Sequence, residues 1–468
     1  MRARHFLLLL VSVFLGALDQ TVVAAVLPSL ISELGIPINR LDDASWAITL
    51  YLAGYALALP IAGQVSDRGY ARSLVLGSLG LFGVGSAIVG VAPGLGPILA
   101  GRTLQAVGAG ALVPVALGQV GSRTAGKEAA LRIAWVTAIA ETGALLGPVY
   151  GAVLVEWLHW RWIFLLNIPI VCLLAAGLAW GWPHRSAVER APIDALGGIL
   201  LGGCLGILTL ALTREVGRAL GEGGRFLLLL LVAGGVAAFV LWERRAAAPL
   251  LSGELARRRP IADMLAIHLF AGAAFMVPLL VVPLWGNTLL RRTPTEAALL
   301  LARLTLSIPI GALLAAVLGR WLGYRWIASV GLFSSAAALT LMSGWTTDVA
   351  EPAMTPALLL AGLGFGLMLT PTNTLTVLAA GAEHAGTAAS LVQVARLLGM
   401  TVASAALAAY GLERFTRLAA AVPFTNVATY LAGVQASAHQ VFTELFWWGA
   451  MLSLIAAAIA LLARSPAR

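Results

Sequence analysis

The sequence predicts an all-α integral membrane protein whose chain crosses a bilayer about fourteen times. Three observations predict it. Apolar residues make up 60% of the 468 residues and charged residues only 11%, where a water-soluble domain carries about a quarter charged; mean hydropathy is +0.92. Apolar runs of roughly 20 residues, enough to span a ~30 Å hydrocarbon core, recur from end to end between short polar segments. The runs are apolar all round, as in Phe226 to Trp242, whereas a barrel strand alternates over about ten residues.

The helices follow in order. The first, 5–33, begins after Arg2 and Arg4 and stays apolar through Asp19 to about Leu34; that is too long for a cleaved signal segment, so it reads as a retained span. Helices at 44–66 and 74–92 flank a polar turn, and 97–121, 129–155 and 161–182 complete a group of six. Two further runs, 193–213 and 225–243, carry few polar residues and precede the longest interior connection, Glu243 to Pro260. Six more follow at 262–290, 296–319, 326–345, 353–380, 384–413 and 440–463. The stretch Glu413 to His439 reads as a loop or short interfacial helix, with a turn at Pro423 to Asn426. This is a 6+2+6 arrangement: a six-helix bundle over 1–185, an inserted pair with a basic loop over 186–260, and a second six-helix bundle over 261–468. Gly108, Gly110 and Pro114 recur as Gly364, Gly366 and Pro371 about 256 residues later, so the bundles read as repeated halves with a substrate path between them.

Lys and Arg are in excess on one side, which places both termini in the cytoplasm. The formal charge of +9 has the same origin: Arg244, Arg245 and Arg257 to Arg259 share one inner loop, where they face anionic headgroups. A nucleic-acid partner is not required. Cys172 and Cys204 both lie in apolar runs, suggesting neither a disulfide nor a metal site. The six histidines are scattered, and neither metalloprotease spacing nor a phosphate-cradling loop occurs. This argues against a membrane enzyme or an ATP-driven pump. The expected cofactor set is empty, with a proton gradient as the energy source.

The motifs lie on turns and inward helix faces. In the turn Gly63 to Arg72, Asp67, Arg68 and Arg72 follow a helix-ending glycine and can clamp neighbouring helix ends; the plainer reading is a basic inner loop. Arg102 and Gln105 are three apart and share one face. Glu141 is followed by Gly143, Gly147, Pro148 and Gly151, a flat face on which another helix can pack and slide, with a bend allowed at the proline.

On these residues the chain resembles the major facilitator superfamily, in its fourteen-helix drug:proton antiporter-2 branch. The resemblance rests on Leu18 to Val23 with Leu27-Pro28, the Gly63 to Arg72 turn, Arg102 to Gln105 with Gly108 and Gly110, Gly143 to Gly151, and Trp160 to Phe164 with Asn167 and Pro169. The turn departs from the family pattern at Tyr70, where glycine is usual, and at Ala71, where a base is usual. Gly35 to Leu41 and Val394 to Arg396 with Gly399-Met400 are similar to the mycobacterial triacylglycerol and multidrug exporters that work with a lipoprotein. The short outer connection Ser343 to Met354 argues against such a lipoprotein acceptor here. A monomer in the inner membrane is expected, and the resemblance implies a lipid or hydrophobic drug as cargo.

Charges in helix centres mark ion or substrate pathways. Asp19, Glu141 and Arg396 are the candidates for proton coupling and gating, with Arg396 expected to pair with a carboxylate across the cavity, as the resemblance also implies. The alternative for Asp19 is a carboxylate locked by neighbouring helices. Arg303, Gln105, Asn373 and Gln393 are candidates for the substrate cavity; Arg303 fits snorkelling or interhelical bonding equally well.

Overall fold

A computed structural model describes residues 3–37, 41–180, 182, 192–250, 255, 258–424 and 426–463. Among them, thirteen continuous helical stretches are long and apolar enough to cross a membrane. One of these, Asp43–Gly90, is divided at Ser66–Tyr70, so the described residues supply fourteen spans at the places the hydropathy predicts.

The first compact unit comprises Met1–Ala262 and Thr376–Val394. Its first six spans are α1 (Ala3–Glu33), α2 (Leu41–Val65), α3 (Ala71–Gly90), α4 with α5 (Leu95–Gly110 and Leu112–Arg123), α6 (Gly126–Trp157), and α7 with α8 (Trp160–Leu165 and Asn167–Ala179). Two spans are broken near a proline. Pro114 and Pro169 offer no N–H to the carbonyl four residues back, and the helix is interrupted at Ala111 and Leu166. Pro148, by contrast, lies within a continuous α6.

The inserted pair is α9 (Ala195–Leu212) and α10 (Arg214–Glu243). α9 lies along α2 at backbone distance, because Gly202 faces the Leu57 carbonyl and Gly206 that of Ala53. α10 lies on α9, with Gly235 against Cys204, and leaves Leu227, Leu230 and Leu231 exposed; in a bilayer these meet lipid. Its start at Arg214 is earlier than the apolar run from 225 predicts. The first turns are polar, and Gly221, at φ 67°, interrupts them.

The second unit comprises Asp263–Leu375 and Ala395–Arg468. Its spans are α11 (Arg259–Thr288), α12 (Pro294–Leu322), α13 (Tyr324–Ser343), α14 (Glu351–Ala380), α15 (Ala385–Ala420) and α16 (Val427–Leu462). The turn joining α14 to α15 belongs to the first unit. The glycine repeat has the same packing role in each unit. Gly108 sits on α3 at Ser78 and Gly364 on α13 at Gly331; Gly110 sits on α2 at Tyr55 and Gly366 on α12 at Ile308.

The segment Glu413 to His439 is helical for most of its length rather than a loop. α15 and α16 each run for 36 residues, about 54 Å at 1.5 Å per residue, and so exceed a ~30 Å core. Polar staples hold the long helices together. Arg414 Nη2 donates to Glu444 Oε1 at 2.9 Å, Tyr410 Oη donates to Glu444 Oε2 at 2.6 Å, and Tyr410 stacks on Trp448 at 4.3 Å. Asn426 caps α16 by accepting from the Thr429 N–H at 2.8 Å.

Candidate functional site

The glycine row on α6 receives α1. A Cβ at Gly143 would lie 2.6 Å from the Phe14 carbonyl oxygen, one at Gly147 2.5 Å from that of Leu18, and one at Gly151 3.0 Å from that of Val22. Only glycine permits this approach, and Thr21 Oγ1 adds a hydrogen bond to the Ala144 carbonyl at 2.8 Å. α1 is thereby held by its backbone along one side.

Asp19, the residue after Leu18, turns to α4. Its Oδ2 accepts from Arg102 Nη1 at 2.5 Å, and its carbonyl accepts from Arg102 Nη2 at 3.2 Å. Gln105 Nε2 donates to Asp19 Oδ1 at 3.2 Å and to Ser86 Oγ on α3 at 2.8 Å, while its Oε1 accepts from Arg102 Nη1 at 3.0 Å. Asn167 at the start of α8 reaches both Asp19 Oδ1 (3.5 Å) and Ser86 Oγ (3.4 Å). The Tyr51 ring of α2 lies 4.1 Å from the guanidinium, and its hydroxyl donates to the Gly16 carbonyl at 3.3 Å. Asp19 and Arg102 are each 1% exposed. Such a pair survives burial only because further hydrogen bonds satisfy it, and removing either partner leaves an uncompensated charge.

The sequence reading paired Arg396 with a carboxylate; the partner that Asp19 takes is Arg102, which the i, i+3 spacing on α4 presents together with Gln105. Glu141 is half-buried on α6, two residues before Gly143, in the first unit. Arg396 lies in the second unit, 5.6 Å from the Phe275 ring. It borders a small apolar pocket lined by Phe275, Ile308, Phe365, Met368 and Leu369. Gln393 is half-buried on α15 in the first unit, and Asn373 is buried on α14 in the second. Arg303 ties α12 to α14. It donates to Glu351 Oε2 at 3.0 Å and Thr355 Oγ1 at 2.9 Å, while Arg292 takes the other Glu351 oxygen at 2.7 Å. Of its two sequence readings, this contact is the interhelical one.

The α2–α3 turn is the second cluster. Gly69 takes φ 89°, so the left-handed residue that the chain reversal needs stands one position before Tyr70. Asp67 caps α15: its Oδ1 accepts the Gly386 N–H, and its Oδ2 accepts the Thr387 N–H and hydroxyl, each at 2.7 Å. Gly63 faces Gly386 and Ser390 at backbone distance. Arg72 Nη2 donates to the Ala179 carbonyl at the end of α8 at 3.0 Å, a favourable place for a cation. Arg68 borders a nearby cavity.

Sequence reasoning missed Tyr51, Ser86 and Glu33. Glu33, the last residue of the 31-residue α1, which at ~46 Å outruns a ~30 Å core, accepts from Trp160 Nε1 and Arg161 Nη1 and pairs with His159 at 3.0 Å. The Arg161 hydrogen bond, opposed by burial and aided by Trp160, holds the Glu33 carboxyl below its usual range. An acid ending the first helix and a base inside the Trp160 to Phe164 motif were the available signal.

Residues 9–404 match the family model described as Major Facilitator Superfamily. A triacylglyceride transporter of Mycobacterium tuberculosis is 34% identical over 484 residues, covering 96% of this chain and 92% of that protein. Another, from Mycolicibacterium hassiacum, is 35% identical over 422 residues, covering 87% and 78%. Among solved structures, a human organic anion transporter is similar with a TM-score of 0.64 at 16% identity, covering 97% of this chain and 100% of that one. The Escherichia coli fucose:proton symporter gives 0.61 at 14%, covering 96% and 98%.

Proposed function

This chain belongs to the major facilitator superfamily of membrane transporters, and from that premise we propose that it is a proton-coupled antiporter exporting a lipid of the triacylglycerol class across the inner membrane by alternating access. The observation that carries the coupling is the buried Asp19–Arg102 pair on a helix that rides on the glycines of α6. An intramembrane carboxylate with a named cationic partner is a proton-pathway candidate. Protonation of Asp19 removes the anion that Arg102 neutralises and leaves the acid able to donate to Gln105 Oε1 or Ser86 Oγ. The tie between α1 and α4 then weakens, and α1 is free to shift along Gly143, Gly147 and Gly151. Glu141, on the same helix, and Arg396, in the other unit, are proposed to carry the complementary charges of the cycle.

The cargo assignment rests on the names of the relatives. The test is reconstitution in liposomes with a fluorescent triacylglycerol analogue and ethidium in parallel, with and without an imposed pH gradient, using Asp19→Asn as the control. Gradient-dependent lipid movement lost in Asp19→Asn is the expected result. Movement of ethidium alone would make the protein a drug antiporter, and lipid movement indifferent to the gradient and to Asp19→Asn would refute the coupling.

A further inference from the structure

The coupling proposed above uses neither the inserted helix pair nor the buried amide of Gln64. Gln64 follows Gly63, stands three residues before Asp67 and is 2% exposed. Its Oε1 accepts the Asp194 N–H at 2.7 Å, and its Nε2 donates to the Ala248 carbonyl at 3.2 Å. These partners are the two ends of the inserted pair. Asp194 caps α9, accepting from the Gly197 N–H at 2.8 Å, and Ala248 lies just beyond α10. The ends are also joined to each other. Trp242 Nε1 donates to Asp194 Oδ1 at 2.7 Å, and Glu243 Oε1 accepts the Leu250 N–H at 3.0 Å, folding 244–250 back as a strap. One side chain thus holds both ends of the α9–α10 hairpin, between the glycine and the aspartate that hold α15. A cavity of about 360 Å³ separates the strap from the turn, bordered by Asp67 and Arg68, by Ala247 to Leu250, and by Glu383 and His384. Among the described residues, Gln64 bonds both the strap at Ala248 and the start of the pair at Asp194.

We propose that the inserted pair is a latch on the α2–α3 turn, with Gln64 as the positioning residue that transmits it. By binding the pair at both ends, Gln64 keeps Gly63 and Asp67 in register with α15 and limits how readily Asp67 releases Gly386 and Thr387. This rests on the alternating-access reading, in which that contact opens during the cycle. The Asp194 N–H is a buried backbone group, costly to leave unpaired, and the Ala248 carbonyl is half-buried, so a change at Gln64 propagates to whatever those groups position.

Hydrogen–deuterium exchange on the full chain in lipid nanodiscs reads the contact at the Gly386 and Thr387 amides. Gln64→Leu is expected to raise their exchange about tenfold, with peptides around Gly143 and Gly108 unchanged. Gln64→Met, unbranched and close to glutamine in length, removes both bonds with little change of shape and is expected to give the same rise; it decides the matter if the leucine variant does not fold. A rise confined to 192–198 and 244–250, with Gly386 and Thr387 unchanged, would overturn the latch. Asp67→Asn separates the two readings: it must raise exchange at Gly386 and Thr387 whatever the latch does. If it does not, the gate falls, and the latch with it.

Discussion

A single methyl group added at Gly147 tests whether the α1–α6 contact positions the charge pair. In Gly147→Ala the new Cβ would clash with Thr21 Oγ1 and stand 2.5 Å from the Leu18 carbonyl oxygen, where ordinary contact begins at 3.4 Å. Thr21 can rotate away, forfeiting its 2.8 Å bond to Ala144 at about 1 kcal/mol. The Leu18 oxygen is backbone and cannot. α1 must then recede by roughly 1 Å to restore contact, and overpacking of this kind costs about 1–3 kcal/mol. The displacement falls on the neighbouring residue, Asp19, whose contacts with Arg102 and Gln105 are 2.5 and 3.2 Å and tolerate little of it. Gradient-driven lipid flux in proteoliposomes is expected to fall about 5- to 150-fold if the whole cost appears in the transition between access states, together with a lower unfolding temperature. Gly96→Ala, which meets nothing within 4 Å, is the matched control. Wild-type flux and unfolding temperature in Gly147→Ala would refute the claim that this face sets the position of Asp19.

Other outcomes follow from the same geometry. Arg102→Ala strands a buried carboxylate and is expected to destabilise the fold by about 3–5 kcal/mol; Asp19→Asn strands the Arg102 guanidinium and should also lower stability, by less because its amide oxygen still accepts from Arg102, and should lose gradient dependence, which thermal unfolding and flux measured side by side will check. Gly386→Ala puts a Cβ 2.7 Å from the Gly63 carbonyl oxygen and 2.8 Å from Asp67 Oδ1, so the unfolding midpoint should drop by about 1–3 kcal/mol equivalent, whereas Gly77→Ala, in open space, should not move it. The Glu33 carboxyl is held below its usual range, chiefly by the Arg161 hydrogen bond. Its stabilisation is therefore present above the ordinary carboxylate pKa and is lost as pH falls through the depressed value; Glu33→Gln should lower the unfolding temperature at neutral pH and converge on wild type as pH falls below that value.

Most of the span pattern was legible because each crossing must be apolar for about 20 residues, and that demand is written locally. The errors lie where no such demand acts. The helical turns from Arg214 to the kink at Gly221 are polar and were unseen, while the span beyond the kink begins within a few residues of 225. The ends of α15 and α16 lie outside any ~30 Å core, where helicity rests on the Glu444 staple to Tyr410 and Arg414 rather than on an apolar run. The glycines of α6 announced a close helix neighbour without saying which one. The turn departs from the family pattern at Tyr70 and Ala71, yet Gly69 takes the left-handed position and Asp67 caps a helix.

Composition and periodicity were enough to establish a polytopic helical membrane protein, its repeated glycines and a short set of costly intramembrane charges, because lipid penalises unpaired polar groups wherever they fall along the chain. Pairing is a different kind of fact. Asp19 meets Arg102 across 83 residues, Asp67 meets Gly386 and Thr387 across more than three hundred, and Gln64 gathers both ends of a hairpin that begins some 130 residues later. No local pattern encodes these distances. They come from the order in which the helices pack, which the glycine faces permit and the buried polar groups, needing partners, then select.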